Sequence, residues 1–277
     1  MKKIIVTADD YGMCDEVNKA ILSCVDAGIC KSFNVITNMQ SIEIDSHYIN
    51  DSNISIGLHW NVTAGKPTLP CEMVLSLCDQ NGEFWNVEQF QKKVRSGEIN
   101  IDELDSELKN QYSIFYKLYG RPIYWNTHQN SSFSMETMPL FSKTAKELNI
   151  PCTRNFQRVY VSGLKIGGGW RKSSIEFMKK IFVDVWFAGL KKNFKMPDGR
   201  IMFFGAKPKN LSEITSRIEW RRKNTLELVI HPATSADNPF FGTISNARVQ
   251  EYMTFSDSNN VAVLLKQGIE IASYRDL

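Results

Sequence analysis

Residues 3–12 read Lys-Ile-Ile-Val-Thr-Ala-Asp-Asp-Tyr-Gly, an apolar run that ends in two adjacent carboxylates. The β-branched residues within 3–7 predict a buried strand. Like charges side by side repel, so Asp9 and Asp10 require a cation nearby, and a divalent metal ion is the usual one. Side chains alternate along a strand, and both carboxylates can reach one site only if the backbone leaves the strand there. Tyr11-Gly12 provides that exit.

Short β-rich runs alternate with helical patterns along the chain, which is typical of a parallel sheet covered by helices. Seven or eight such units without a compositional break predict one domain over residues 1–277, an α/β fold of the distorted (β/α) TIM-like barrel type. Strands are predicted at residues 3–7, 33–37, 54–59, 123–126, 152–154, 201–204, 226–230 and 269–273. Helices are predicted at residues 15–28, 87–95, 101–119, 135–148, 174–190 and 211–223, with a last one starting near Asn246.

Composition excludes several classes of protein. The net charge of +3 carries no basic run with interleaved aromatic residues, so no nucleic-acid partner is expected. No stretch approaches the 18 or more apolar residues of a membrane span. The six cysteines have no paired spacing and are expected to be reduced, which predicts a cytoplasmic protein. The glycine-rich residues 155–172 lack the phosphate-binding patterns.

Polar candidates stand at the predicted strand ends, where β/α barrels place their functional groups. Three of the four histidines of the chain are among these candidates. The fourth, His47, lies in a polar stretch and is expected at the surface. Each candidate has an ordinary alternative, since a strand-end histidine is often a satisfied polar residue and an Asp pair often forms an Asx-turn and helix cap. The strand-end candidates are Asp9, Asp10, His59, His128, Arg154 and His231.

Metal-assisted hydrolysis unites these groups. Two imidazoles and one carboxylate hold a divalent ion and leave positions open for water and a substrate oxygen. The second carboxylate then serves as a general base. His231 would protonate a leaving amine or stabilise an oxyanion. One divalent ion is expected, zinc or magnesium, and two imidazoles favour zinc or a similar transition ion.

The sequence resembles the YdjC-like carbohydrate (chitooligosaccharide) deacetylases over its whole length. Residues 7–12, with Asn18, resemble the opening motif of that family, and residues 57–67 (Gly-Leu-His-Trp-Asn-Val-Thr-Ala-Gly-Lys-Pro) are similar to its second motif. Residues 127–129 match part of the third motif and residues 230–232 fit its late His-Pro motif. Arg154, Arg248, Tyr252 and residues 268–270 also fit the pattern.

The resemblance implies a metal-dependent enzyme that removes acetyl groups from N-acetylated sugars. It implies that Asp10, His59 and His128 bind the metal. It also implies that Asp9, held by Arg154, is the general base and that His231 is the general acid. Homodimers occur in the family, so a homodimer is possible here.

The third motif departs from the family pattern His-x-Asp-Ser-His-x-His-x-His. Of the histidines in this motif only the one at His128 is kept. Replacement of residues around metal ligands typically weakens metal binding or activity about 10–100-fold. The corresponding positions hold Tyr124, Asn126, His128, Asn130 and Ser132.

Three functions follow from these residues. The first is removal of an acetyl group from an N-acetylated mono- or oligosaccharide, with or without a phosphate group. The second is hydrolysis of a sugar phosphate or phosphoester, and the third is a catalytically silent sugar- or metal-binding protein. In the second, the phosphate group would be bound by cationic side chains from among Arg121, Arg154, Arg158 and Lys165.

Sugar contacts are expected near the metal ligands. The irregular residues 60–85 predict a lid or binding loop. Aromatic residues in and near such loops stack on sugar rings, and Trp60 and Trp125 adjoin proposed ligands, whereas Phe84, Trp85 and Trp170 are expected in the core. The predicted substrate-binding residues are Trp60, Asn61, Trp125 and Asn130.

Overall fold

The computed structural model describes residues 1–159, 161, 187–202 and 211–277, and within them eight parallel strands form one sheet. The strands are β1 (Lys2–Tyr11), β2 (Ser32–Val35), β3 (Ser55–Trp60), β4 (Tyr124–Thr127), β5 (Cys152–Thr153), β6 (Arg200–Met202), β7 (Thr225–Ile230) and β8 (Ile269–Ala272). The helices are Asp15–Asp26, Ser46–Asn50, Val87–Ser96, Ile101–Tyr119, Met138–Glu147, Leu211–Ser216, Ser245–Phe255 and Asn259–Lys266.

The strands run in the order β5-β4-β3-β2-β1-β7-β6, and β8 pairs with the first residues of β1. The sheet curls into a half-open barrel with helices on its outer face, which confirms the predicted distorted (β/α) barrel. β1 is central, because it pairs with β2, β7 and β8. In parallel sheets of this kind the carboxyl ends of the strands carry the functional groups. No helix among the described residues is long and apolar enough to cross a membrane.

The alternation of β1 divides its side chains between two layers. Ile4, Val6 and Ala8 belong to the large apolar cluster that the helices cover. Ile5 belongs to a smaller cluster inside the curl of the sheet. By the same alternation Asp9 faces the inside, and Asp10 in a regular strand would face the helices.

A β-bulge resolves this problem for Asp10. The register between β1 and β2 shifts between Ala8 and Tyr11, and Asp10 has a φ of +78°. A bulge inserts an extra residue and re-aims its side chain. The departure from regular strand geometry therefore occurs within β1, between Ala8 and Tyr11, and not at Tyr11-Gly12 as expected. The strand itself continues to Tyr11 rather than ending at residue 7.

Gly57 on β3 allows a close approach inside the curl. A Cβ at this position would lie 2.5 Å from the Tyr124 ring. That ring stacks on Tyr274 with centroids 3.9 Å apart. Because Gly57 has no side chain, the Tyr124 ring of β4 can pack directly against the backbone of β3.

Several helix predictions need correction. The helix predicted at residues 211–223 is only Leu211–Ser216, and Asn259–Lys266 was not predicted as a separate helix. The predicted helix at residues 15–28 begins at Asp15 and ends at Asp26; Cys14 occupies its N-cap position without a capping hydrogen bond from its side chain, and Asp15 accepts a hydrogen bond from Ser41 Oγ. The helix predicted at residues 174–190 and most of the glycine-rich segment lie outside the described residues.

Residues 60–85 form a loop held down on the helix Ile101–Tyr119. Glu107 is fully buried and accepts hydrogen bonds from the backbone N–H groups of Thr68 and Leu69. Gln111 binds both the N–H and the carbonyl of Asn61. These contacts fix the loop on the helix, and none of residues 60–85 lines the pocket described below.

Candidate active site

One pocket of about 240 Å³ lies at the carboxyl ends of the strands. The predicted strand-end residues meet there although they come from five separate parts of the chain. A segment before the helix Ser245–Phe255 closes one side of the pocket. The pocket is lined by Asp9, Asp10, His59, Thr127, His128, Gln129, Asn130, Arg154, Met202, His231, residues 240–244 and Arg248.

Three buried side-chain atoms that could bind a metal ion converge in this pocket. His59 Nε2 lies 3.3 Å from Asp10 Oδ1, and His128 Nδ1 lies 2.9 Å from the same oxygen. Asp10, His59 and His128 form the group that could hold a metal ion among the described residues. Ligand atoms around a tetrahedral zinc ion bound at 2.0–2.1 Å are about 3.3 Å apart. The donor set and its spacing therefore fit a zinc-like ion.

Arg248 binds the other oxygen of Asp10. Its Nη2 donates to Asp10 Oδ2 at 2.6 Å, and its guanidinium lies over the Phe241 ring. Burial acts to raise the pKa of Asp10, but His128 and Arg248 outweigh it, and the pKa lies well below its usual range. Asp10 is therefore an ionised carboxylate, the form that ligates metals.

Asp9 belongs to a separate charge network. Arg154 donates from Nη1 to Asp9 Oδ2 and from Nη2 to Asp9 Oδ1, each at 2.7 Å, and its Nε donates to Glu227. Asn34 Nδ2 donates to Asp9 Oδ1 at 2.6 Å. Burial acts to raise the pKa of Asp9, but the Arg154 cation outweighs it and the pKa falls below its usual range. Asp9 is therefore fixed in place and ionised.

His231 stands on the other side of Asp9. Its Nε2 lies 3.6 Å from Asp9 Oδ2, and its backbone N–H donates to Glu251 Oε2 at 2.5 Å. Burial lowers the pKa of His231 to about 4, and burial raises the pKa of Glu251 to about 7. The imidazole of His231 is therefore neutral at pH 7 in this environment.

The predicted sugar contacts fall in different environments. Trp60 and Trp125 have no exposed surface, their rings lie 5.4 Å apart, and Trp60 Nε1 donates to the Leu108 carbonyl. Because both rings pack in the core, they present no face to a ligand in this structure. The Asn61 side chain accepts from the N–H groups of its own loop. Asn130 alone of the four lines the pocket.

Several contributors to the site were not predicted from sequence, among them Asn34, which donates to Asp9. Glu227 lies within the apolar strand β7, and a lone acidic residue in such a run is a signal that was available. Glu251 and the segment of residues 240–244 carry no comparable signal, because helix periodicity alone does not place them over the pocket. Arg248 fitted the family pattern but had no assigned role.

The sequence matches the model of the family described as YdjC-like protein over residues 3–266. A carbohydrate deacetylase from Clostridium beijerinckii is 24% identical over 281 residues, 99% of this chain and 100% of its own length. A chitooligosaccharide deacetylase from Yersinia pestis is 24% identical over 99% of both chains. A carbohydrate deacetylase from Danio rerio matches a shorter stretch, with 27% identity over 55% of this chain and 49% of its own length.

The fold also has a solved counterpart. A crystal structure from Enterococcus faecalis, described as a proposed cellobiose-phosphate cleavage protein, superposes with a TM-score of 0.75. The two chains are 20% identical, and the superposition covers 99% of this chain and 98% of that one. At this identity the likeness concerns the fold.

Proposed function

The chain belongs to the YdjC-like family, and from this membership and the pocket geometry we propose that it is a metal-dependent carbohydrate deacetylase. The reaction is hydrolysis of the amide that joins an acetyl group to an amino sugar. The observation that carries the proposal is the meeting of a metal donor set, an arginine-held carboxylate and a histidine in one pocket. The relatives named as carbohydrate and chitooligosaccharide deacetylases support the substrate class.

Asp10, His59 and His128 would hold the ion in this proposal. A bound zinc ion supplies a Lewis acid for the carbonyl oxygen and lowers the pKa of water from about 16 to about 7. Arg248 keeps Asp10 ionised and fixes its rotamer, since it occupies the oxygen that faces away from the two imidazoles.

Asp9 is proposed to accept the proton of the attacking water. Arg154 and Asn34 take three of the roughly four lone-pair sites of this carboxylate. The remaining site is on Oδ2, the oxygen that faces His231. The pair to Arg154 keeps Asp9 deprotonated, and Arg154 is accordingly a positioning residue.

His231 is proposed to protonate the leaving amine. Its imidazole is neutral before a ligand binds, because burial lowers the pKa to about 4. Negative charge that develops on the substrate beside the ring would raise this pKa. The ring would then take up the proton that Asp9 Oδ2 accepted from the water and pass it to the sugar nitrogen, which leaves Asp9 ionised again.

The phosphoester alternative has weaker support, and the silent binding protein is separated by activity. Of the expected phosphate clamps, Arg154 is committed to Asp9 and Glu227, Arg121 and Arg158 are exposed, and Lys165 lies outside the described residues. A single group of possible metal ligands is present among the described residues, whereas phosphoryl chemistry often uses two ions. A silent binding protein would bind one zinc ion and release no acetate.

The test is acetate release from diacetylchitobiose by the zinc-loaded protein. We expect turnover, and we expect Asp9→Asn to reduce it by about 10²–10⁴, the usual contribution of a general base. Asp15→Asn, an exposed aspartate on the adjacent helix, is the matched control and should retain turnover. One bound zinc ion without acetate release from any N-acetyl sugar would refute the proposal.

A further inference from the structure

We propose that Asn126 holds metal-free His59 in the tautomer that carries its proton on Nε2, and that this lowers the affinity of the metal site. The inference rests on the proposed metal-dependent function for its effect on affinity, whereas the tautomer itself is a property of the protein alone. Asn126 is a positioning residue in this proposal, because it acts on the metal through His59.

Asn126 lies at the centre of a buried polar cluster. It is 1% exposed and stands beside His59 in the parallel register of β3 and β4. One end of its amide lies 2.5 Å from His59 Nδ1. The other end faces Arg154 Nη1 and Nη2, at 3.2 and 2.9 Å, and Asn34 Nδ2, at 2.9 Å.

The oxygen and nitrogen ends of the Asn126 amide have nearly the same shape, so the hydrogen-bonding groups around them decide which way the amide points. Arg154 Nη1 has two N–H groups and gives one to Asp9. Asn34 Nδ2 also has two and gives one to Asp9. Each therefore retains one N–H on the side of Asn126. With the amide oxygen on that side, both are satisfied.

The opposite orientation is unfavourable. It places the Asn126 NH₂ group against Arg154 and Asn34, which are themselves donors there. A buried donor left without an acceptor loses its hydrogen bonds to water and gains none in exchange. The orientation with the oxygen toward Arg154 therefore prevails.

This orientation sets the proton on His59. The Asn126 NH₂ group donates to His59 Nδ1, so Nδ1 must carry a lone pair. The proton of the neutral ring then sits on Nε2, which lies 3.3 Å from Asp10 Oδ1. A metal ion between Asp10 and His59 needs the lone pair on Nε2 instead.

Metal binding consequently requires two coupled changes. The His59 proton must move to Nδ1, and the Asn126 amide must turn its oxygen toward it. The turn leaves the N–H groups of Arg154 and Asn34 facing an NH₂ group. Changes in the partners of metal-bound histidines alter affinity about 10–100-fold. An aspartate at this position would accept from His59, Arg154 and Asn34 at once.

The first measurement is the tautomer of His59 in the metal-free, full-length protein, by ¹⁵N NMR of the imidazole nitrogens above pH 7. We expect a protonated Nε2 in the wild type and a protonated Nδ1 in Asn126→Asp. The second measurement is zinc affinity by calorimetry, for which we expect Asn126→Asp to bind about 10–100-fold more tightly.

Two controls separate the tautomer from added charge and from misfolding. Asn130→Asp places a carboxylate in the same pocket without touching His59, and should leave the tautomer unchanged and tighten zinc binding less. If Asn126→Asp does not fold, Asn126→Ala removes the donor to Nδ1 and should allow the Nδ1–H form to appear.

A protonated Nδ1 in the wild type would overturn the proposal, and so would equal zinc affinity in the wild type and Asn126→Asp. Equal tightening by Asn130→Asp would also overturn it, because charge alone would then explain the gain. If neither wild type nor variant binds zinc while the tautomer changes as expected, the metal-dependent function fails and the role of Asn126 in setting the tautomer stands.

Discussion

Adjacent carboxylates in the pocket are neutralised by different arginines. Arg154 binds Asp9 through both oxygens, whereas Arg248 binds one oxygen of Asp10 and leaves the other toward two imidazoles. A carboxylate with both oxygens occupied by a guanidinium is poorly disposed to bind an ion, and one with a free oxygen beside two nitrogens is well disposed. The different roles proposed for the pair follow from these partners.

The proton-donor role of His231 predicts a dependence on the leaving group. We expect His231→Gln to reduce acetate release from diacetylchitobiose by about 10²–10⁴. With 4-nitrophenyl acetate the loss should be much smaller, because nitrophenolate leaves without a proton. Parallel assays of the two substrates check this. An equal loss on both would mean that His231 acts in another way, for example on the oxyanion.

The buried network around Arg154 predicts a large effect on stability. Arg154 and Glu227 have side chains that are 3% and 0% exposed. Arg154→Met would leave Asp9 and Glu227 as buried charges without their cation, which typically destabilises a protein by about 3–5 kcal/mol. Urea unfolding measures this loss, and adding Glu227→Gln should recover part of it. Arg121→Met, at an exposed position, should change stability by less than about 0.5 kcal/mol.

Among the elements, β1 contributes most to the site. Its alternation sends Ile5 and Asp9 inward, and the bulge after Ala8 turns Asp10 inward as well. A positive φ in a residue other than glycine is uncommon, but aspartate tolerates it better than most. The sequence therefore combines a regular buried strand with one irregular step at the residue that must be re-aimed.

The contact between β3 and β4 predicts that Gly57→Ala is destabilising. The added Cβ would lie 2.5 Å from the Tyr124 ring, which is itself stacked on Tyr274. Overpacking of this kind costs about 1–3 kcal/mol. Gly189→Ala is a matched control, since no atom lies within 4 Å of the added Cβ there. Comparable unfolding midpoints for the two variants would show that the Tyr124 ring moves aside freely.

For the whole molecule, the arrangement of the metal donors predicts linkage between metal and folding. They come from β1, β3 and the turn after β4, so only the folded chain assembles them. Zinc at 100 times its dissociation constant should stabilise the protein by about 2.7 kcal/mol. Thermal unfolding with and without zinc measures this. His59→Ala should abolish the zinc-dependent rise in unfolding temperature, whereas His47→Ala, at an exposed histidine, should keep it. A rise that survives in His59→Ala would mean that zinc binds at another site.

Much of this architecture was predictable because hydrophobic periodicity reports strands and helices directly. The meeting of His59, His128 and His231 followed from their positions at strand ends. The burial of Trp60 and Trp125 did not, because it depends on packing against Phe141 and Phe194 from distant segments. A break in the regular strand at the aspartate pair was predictable from the alternation of side chains, but its form as a bulge before Tyr11 was not, since a one-residue insertion leaves the hydrophobic pattern of β1 unchanged.

The distance in sequence between the two aspartates and their arginines has a consequence for biosynthesis. Asp9 is 145 residues from Arg154, and Asp10 is 238 residues from Arg248. At about 5–20 residues per second, Arg248 is synthesised roughly 12–48 s after Asp10. Asp10 therefore lacks Arg248 for the whole of that interval, whereas Asp9 lacks Arg154 only for roughly its first 7–29 s. The first strand to be synthesised therefore cannot complete its native pairing with β7 and β8, or the charge pair of Asp10, until the last part of the chain has been made.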